Sequence, residues 1–182
     1  MLQLLVFLFG SIGITLISHQ SLVIHSSHGF PRFFAFEALL GLVVLNAHSW
    51  FAQPFSLRQI LSWALLLDAA YLAIHAIWTL RVRGHPDRTI QDTSRLPFEK
   101  TTKLVTQGPY QFIRHPMYAS LLELAWGVFL KDIDLLSGLL AILVSLTLFL
   151  TADYEEKENL RIFGDEYAVY MQRTKRFIPF VY

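Results

Sequence analysis

The chain has 182 residues, of which 54% are hydrophobic and only 16% charged, and its net charge is +1. Soluble domains carry about a quarter charged residues, so this composition indicates a protein that folds in a lipid bilayer. The near-neutral charge gives no indication of a nucleic-acid partner, and the lack of cysteine excludes disulfides, thiol nucleophiles and thiolate metal sites.

Five apolar segments are predicted to cross the membrane, so the expected fold class is an all-α integral membrane protein with five transmembrane helices. They are Leu2–Ile24, Phe33–Ala52, Gln59–Leu80, Met117–Leu130 and Ile133–Ala152. The first lacks the basic flank of a signal peptide and is too long for its apolar region, so we expect it to be retained. The fourth is short for a span, which needs about 20 residues.

The basic residues predict that the N-terminus lies outside the cell, because 13 of the 15 Lys and Arg residues then face the cytoplasm. These are Arg32; Arg81, Arg83, Arg88, Arg95, Lys100, Lys103 and Arg114; and Lys157, Arg161, Arg173, Lys175 and Arg176. Such a chain, without disulfides, fits a bacterial inner membrane best. Any chemistry in aqueous contact is then expected at the cytoplasmic face.

A single membrane domain, 1–182, is predicted in three parts. Residues 1–80 form three helices, 81–116 form a polar cytoplasmic connector, and 117–182 form the last two spans and a cytoplasmic helix. That last helix is placed at roughly Tyr154–Gln172, with Gly164 as a potential break and Pro179 beyond its end.

Some ionisable residues fall within the predicted spans. Asp68, Tyr71 and His75 share one helix face by their spacing. They form either a polar pocket or proton path, or an interhelical hydrogen-bonded pair that fixes packing, such as Asp68 with a histidine; packing is favoured. Glu123 is a stronger functional candidate because it closely follows the motif described next. The seven histidines show no metal-binding motif, so no metal site is predicted.

The first motif, residues 104–118, reads LVTQGPYQFIRHPMY. Gly108 and Pro109 predict a turn, and Pro116 suits the first position of the fourth helix. Arg114 and His115 then lie at the membrane interface beside a helix N-terminus. Unpaired backbone N–H groups there favour a carboxylate or phosphate.

The second motif follows the fifth span. It contains Glu155, Glu156 and Glu158, then Phe163-Gly164-x-x-Tyr167-x-x-Tyr170, and ends with Arg176 and Pro179. An acidic cluster is usually only a solvated surface. This one lies on the same side as Arg114 and His115, and two opposed polar clusters at one end of a small bundle indicate a binding site.

In their order, these motifs resemble the isoprenylcysteine carboxyl methyltransferase family, whose core is shared by phospholipid methyltransferases. The matching elements are Gly-Pro-Tyr, Arg-His-Pro-x-Tyr, Glu-Glu-x-x-x-Leu and Phe-Gly-x-x-Tyr-x-x-Tyr, over roughly residues 99–180. The first three helices match only in being hydrophobic. The resemblance implies a membrane enzyme that uses S-adenosylmethionine to methylate a lipophilic acceptor from the bilayer.

The same resemblance implies a cofactor pocket between the connector and the last two helices. The implied cofactor-binding residues are Thr102, Lys103, Leu104, Val105, Tyr110, His115, Pro116, Met117, Tyr118, Glu155 and Glu156. The candidate catalytic residues are Arg114, His115 and Glu123. Tyrosine faces attract the sulfonium cation, a glutamate accepts from the ribose hydroxyls or the ammonium group, and Arg114 or His115 can meet the carboxylate.

The acceptor stays open at this point. The prenylcysteine enzymes carry an arginine one turn before the glutamate pair, and this chain carries Thr151 there, so the acceptor group can be carboxyl, amine or thiol. Two other functions remain: an NADPH-dependent membrane reductase of the sterol-reductase type, and a non-catalytic membrane scaffold. No Gly-x-Gly-x-x-Gly motif occurs, which disfavours a Rossmann-type methyltransferase. The sequence does not indicate an oligomeric state.

Overall fold

The computed structural model describes residues 1–87, 89 and 95–181, which form six α-helices and two short 3₁₀ helices. The α-helices are α1 (Leu2–Val23), α2 (Gly29–Leu45), α3 (Leu57–Arg83), α4 (Pro116–Phe129), α5 (Leu135–Phe163) and α6 (Asp165–Arg173). The 3₁₀ helices are Ala47–Ser49 and Gly108–Gln111. These residues contain no strand, which confirms the all-α class for the part described. Arg88, one of the basic residues used for orientation, lies outside it.

Three helices, α1, α3 and α5, are long and apolar enough to cross a membrane. The chain is therefore an integral membrane protein. α2 has 17 residues and α4 has 14. At 1.5 Å per residue, α4 is about 21 Å long, shorter than the roughly 30 Å hydrocarbon core of a bilayer. Five crossings therefore stay a prediction.

α5 is one continuous helix of 29 residues, so the predicted boundary between the fifth span and a separate helix starting at Tyr154 is wrong. About 20 residues suffice to cross the hydrocarbon core, so the 29 residues of α5 are more than a crossing needs. Gly164 does break the helix, as predicted, with φ of 54°. α6 starts directly after it.

The helices pack as neighbouring pairs: α1 on α2, α2 on α5, and α3 on α4. Small residues allow the close approaches. A Cβ added to Gly127 of α4 would lie 3.1 Å from Leu66 of α3, and the Ser62 hydroxyl donates to the Gly127 carbonyl at 2.6 Å. Such contacts are typical of helix pairs in membranes, where apolar burial gives little driving force. α1 packs mainly on α2 and is otherwise largely exposed.

The in-span polar residues take part in packing. Asp68 of α3 lies beside Glu123 of α4, and the rings of Tyr71 and His75 are 5.7 Å apart. The partner of Asp68 is thus a carboxyl group. A second buried polar contact lies at the end of the bundle opposite the connector. There the ammonium group of the buried Lys131 donates to Gln59 Oε1 at 3.0 Å.

Candidate cofactor-binding site

A cavity lies where the connector meets the ends of α3, α4 and α5, and α6 closes it on one side. Its lining residues are Leu80, Arg95, Glu99, Thr101, Leu104, Val105, Tyr110, Arg114, His115, Pro116, Met117, Tyr118, Glu155, Asn159, Phe163, Tyr167 and Tyr170.

The connector reaches the cavity through backbone pairing with the segment after α6. The Arg114 N–H donates to the Lys175 carbonyl at 2.8 Å, and the His115 N–H donates to the Arg176 carbonyl at 3.1 Å. The Lys175 N–H returns to the Phe112 carbonyl at 3.1 Å. Pro116 then begins α4, where its missing N–H costs little. This pairing places the two sequence motifs against each other.

Glu156 lies in the protein behind the cavity and is saturated by basic groups. Its carboxylate accepts from Arg114 Nε at 2.8 Å, from Arg176 Nη2 at 2.6 Å, and lies 3.2 Å from His115 Nε2. Burial alone would raise the pKa of Glu156, but the bonds from His115 and Arg176 outweigh it and lower the pKa to about 2. The carboxylate therefore stays charged and fixes Arg114 and His115.

Glu155 differs from its neighbour because its carboxylate lines the cavity. Its closest ion-pair contact is His115 Nδ1 at 3.7 Å, longer than a hydrogen bond. Burial alone would raise the pKa of Glu155, but the adjacent His115 outweighs it and lowers the pKa below its usual range. Glu155 thus presents a charged carboxylate with unused acceptor capacity to any ligand in the cavity.

His115 is buried between the two glutamates. Its ring stacks on Tyr118, with centroids 5.4 Å apart and planes at 11°. Burial alone would lower the pKa of His115, but Glu155 and Glu156 outweigh it and raise the pKa above its ordinary 6.5. A charged imidazole beside Glu155 adds a positive group to the cavity wall.

Four tyrosines form much of the remaining wall: Tyr110, Tyr118, Tyr167 and Tyr170. The Tyr170 hydroxyl donates to the Tyr110 carbonyl at 2.6 Å and so ties α6 to the Gly108–Gln111 turn. Gly108 allows that turn, because its φ is 61° and an added Cβ would lie 2.9 Å from Thr79 Oγ1 of α3.

The structure brings nine of the predicted site residues to the cavity wall. They are Leu104, Val105, Tyr110, Arg114, His115, Pro116, Met117, Tyr118 and Glu155. Thr102 and Lys103 are exposed, and Lys103 faces a separate cleft. Glu156 lies behind the wall. Glu123 lies eight residues along α4 from His115, about 12 Å away by helical rise, and does not line the cavity.

The predictions missed several lining residues, among them Arg95, Glu99 and Asn159. Arg95 Nη2 donates to Asn159 Oδ1 at 2.8 Å, which joins the connector to α5. Glu99 accepts from Arg32 Nη1 of α2 at 2.9 and 3.1 Å. Asn159 follows Glu155 by four residues, so helical spacing could have indicated it. Arg95 and Glu99 lie in an irregular segment without any periodicity that could have indicated them.

A family model for phospholipid methyltransferase matches residues 57–166, more than half of the chain. The chain belongs to this family. The match includes the Arg-His-Pro-x-Tyr motif and the glutamate pair, and it confirms the family resemblance predicted from the motifs.

Curated relatives of the chain have two kinds of name. Protein-S-isoprenylcysteine O-methyltransferase B of Arabidopsis thaliana is 27% identical over 133 residues, covering 72% of this chain and 61% of the relative. Methanethiol S-methyltransferase of Pseudomonas deceptionensis is 25% identical over 156 residues, covering 81% and 50%. The chain thus spans about half to three fifths of the length of these relatives. No solved structure matches it.

Proposed function

We propose that this chain is a membrane methyltransferase that binds S-adenosylmethionine in the cavity between the connector, α3, α4, α5 and α6, and transfers its methyl group to a lipophilic acceptor. The observation that carries the proposal is the division between the two adjacent glutamates. Glu156 is saturated by Arg114, Arg176 and His115, whereas Glu155 faces the cavity with acceptor capacity left over. Family membership supports the same reading.

The chemistry of the lining fits this cofactor. Glu155 can accept from the ribose hydroxyls or the ammonium group, and Arg95 and Arg114 provide cations for the carboxylate. Aromatic faces of Tyr118 and Tyr167 suit a sulfonium cation. Leu80, Leu104, Val105 and Met117 supply an apolar surface for the adenine ring. Thr102 and Lys103 have no part in this assignment because they are exposed outside the cavity.

The bound cofactor would supply an electrophilic methyl group, and the protein's task would be alignment and exclusion of water. Arg114 and His115 are held in a fixed position, because both bond to Glu156 and their backbones pair with the segment after α6. Their proposed role is therefore to orient the cofactor. Glu156 is a positioning residue. Glu123 lies too far along α4 to take part in this proposal.

We propose only the general class of the methyl acceptor: a lipophilic molecule with a carboxyl, amine or thiol group. The relatives' names point to two different acceptors, an isoprenylcysteine and methanethiol. Thr151 is fully buried and its hydroxyl donates to the Thr147 carbonyl at 2.7 Å, so it offers no charge to an acceptor.

We further propose that all five helices α1 to α5 cross the membrane, with the cavity at the cytoplasmic face of a bacterial inner membrane. The support is the order of the 15 basic residues along the chain, because five crossings with the N-terminus outside would assign 13 of them to the cytoplasmic side. α4 is short for a span, but it packs on the longer α3.

The deciding experiment is calorimetric titration of the detergent-purified chain with S-adenosylhomocysteine and, separately, with NADPH. We expect only S-adenosylhomocysteine to bind, and Glu155→Gln to weaken it about tenfold, the value of one charge-assisted hydrogen bond. Glu166→Gln is the matched control, since Glu166 is exposed on α6 and does not line the cavity. Binding of NADPH alone would favour a reductase. Binding of neither ligand to folded protein would favour a non-catalytic scaffold.

A further inference from the structure

An exposed apolar patch lies at the cavity end of the bundle and consists of Phe112, Ile178, Phe180 and Val181. These residues are between 46% and 83% exposed. The rings of Phe112 and Phe180 are 6.2 Å apart, so the connector and the segment after α6 contribute to one surface. None of the four residues lines the candidate cofactor site. Contiguous apolar surface of this kind marks contact with a protein or a membrane.

The backbone holds Phe180 in an unfavourable conformation. The Val181 N–H donates to the Ile178 carbonyl at 3.2 Å and closes a turn, in which Phe180 has φ of 66°. Glycine and asparagine suit that region, and a bulky side chain rarely adopts it. A strained turn that exposes a phenylalanine ring indicates that the ring gains free energy from its surroundings, and water does not provide such a gain.

The segment after α6 returns to the apolar part of α5. Phe177, just before the turn, is buried, and its ring packs edge-on against Phe149 of α5 with centroids 4.8 Å apart. Phe149 precedes Asp153, the first charged residue of α5, by about 6 Å of helical rise. Its neighbours Leu146 and Leu150 are exposed on a helix that is apolar enough to cross a membrane. The patch is therefore continuous with surface that α5 presents to lipid.

A basic side chain beside the patch suits lipid headgroups. Val181 shares a cleft with Lys175, which is exposed. A lysine next to apolar side chains is typical of surfaces at the polar boundary of a bilayer, because its stem lies along apolar groups while its ammonium meets the headgroups. The lysine and the contact with α5 together favour lipid over a soluble protein as the partner.

We propose that the exposed apolar patch inserts beside α5 into the boundary between the headgroups and the acyl chains of the bilayer. The backbones of Arg114 and His115 pair with the same segment after α6. The membrane contact therefore anchors the segment that holds one wall of the candidate cofactor cavity. This inference does not depend on methyl transfer, because it concerns a surface outside that cavity.

The test is site-directed fluorescence in lipid nanodiscs, for which the cysteine-free chain needs only one substitution at a time. An environment-sensitive label on Phe180→Cys should show blue-shifted emission and lose most of its intensity to a nitroxide on the lipid acyl chains, but little to aqueous iodide. Ile178→Cys repeats the measurement with the Phe180 ring in place. Glu166→Cys is the matched control, because Glu166 is exposed on α6 next to the end of α5, and its label should respond to iodide instead.

Thermal unfolding of each labelled variant first establishes that it is folded. Quenching of both patch labels by iodide, to the extent seen in Glu166→Cys and without an effect of the nitroxide, would show that the turn faces water and would overturn the proposal. Protection of both patch labels from iodide and from the nitroxide would show that protein covers them, as in an association of two copies of the chain. That result would overturn the proposal as well.

Discussion

Glu155 and Glu156 are neighbours in sequence but lie on different faces of α5, because successive helical residues are rotated by about 100°. One carboxylate faces the cavity and the other faces Arg114 and Arg176. Substituting each glutamate by glutamine should therefore have different consequences for binding and for folding.

The first prediction contrasts these two substitutions by their thermal unfolding. Glu156→Gln removes the partner of buried basic groups, which typically costs roughly 3 kcal/mol, so its unfolding temperature should fall markedly. Glu155→Gln should lower the unfolding temperature less, since its closest ion-pair contact, to His115, is 3.7 Å long and it lacks the arginine partners of Glu156. Equal destabilisation by both variants would contradict the division of roles.

The second prediction concerns the pH dependence of stability. The pKa of His115 is raised in the fold, so its contribution is complete below its ordinary 6.5 and is lost as pH rises through the folded value. The pKa of Glu156 is lowered to about 2 from an ordinary 4.5, so its contribution is lost as pH falls below 4.5. Both groups thus contribute most between about pH 4.5 and 6.5.

The unfolding temperature measured from about pH 2 to 9 checks this second prediction. His115→Gln should remove the decline on the alkaline side that is due to this group, and it should also reduce the loss on the acid side, because His115 is one of the groups that lower the pKa of Glu156. A variant whose profile matches the wild type on the alkaline side would show that His115 is not the group responsible.

The sequence indicated those site residues that belong to motifs, and much less of the remaining wall. Eight of the nine predicted site residues that line the cavity come from 104–118, because the Gly-Pro turn and Pro116 determine the local geometry. Thr102 and Lys103, just before the turn, lie on the outer side of the connector, and no pattern in an irregular segment predicts which side faces inward. Arg95 and Glu99 reach the cavity through tertiary ion pairs, which local sequence does not encode.

At the scale of single elements, the continuity of α5 was mispredicted because hydropathy changes at Asp153 while helix propensity does not. The charged residues Asp153, Glu155, Glu156 and Lys157 were taken for the start of a separate helix. Glu, Lys and Leu are good helix formers, so α5 continues through them to Phe163. Only Gly164, with its positive φ, ends it.

The third prediction belongs to the turn that begins at Gly108. Gly108→Ala should lower the free energy of unfolding by about 1–3 kcal/mol, because φ is 61° and the new Cβ would lie 2.9 Å from Thr79 Oγ1. Gly13→Ala in α1 is the control, since nothing lies within 4 Å of its added Cβ and alanine favours the helix. Denaturant titration measures both. An unaffected Gly108→Ala would mean that the turn is not tightly held.

On the scale of the whole molecule, the cavity-side end of the bundle holds most of the basic residues, and the opposite end holds Lys131 and Arg58. Lys131 is buried, its ammonium 3.7 Å from the centroid of the Trp63 ring and bonded to Gln59. The charge distribution could be predicted from sequence because it depends only on segment order. Whether α2 and α4 cross completely depends on the bilayer around them.

The fourth prediction tests those crossings by cysteine labelling, for which the cysteine-free chain is a ready background. Single substitutions Ser26→Cys, Ala52→Cys and Ile133→Cys all fall at exposed positions between helices. In intact cells, a membrane-impermeant maleimide should label Ala52→Cys and Ile133→Cys but not Ser26→Cys. Labelling of Ser26→Cys would contradict the orientation, and protection of Ile133→Cys would mean that α4 does not cross.

The ion-pair cluster around Glu156 also has a consequence for synthesis of the chain. Glu156 lies 42 residues after Arg114 and 20 before Arg176, yet it bonds to both. Because Arg176 follows Glu156 in the chain, Glu156 is synthesised before one of its cations. The cofactor cavity therefore cannot mature until the segment after α6 has been made and paired with Arg114 and His115. A chain cut short before that segment would contain all five long helices but not a complete binding site.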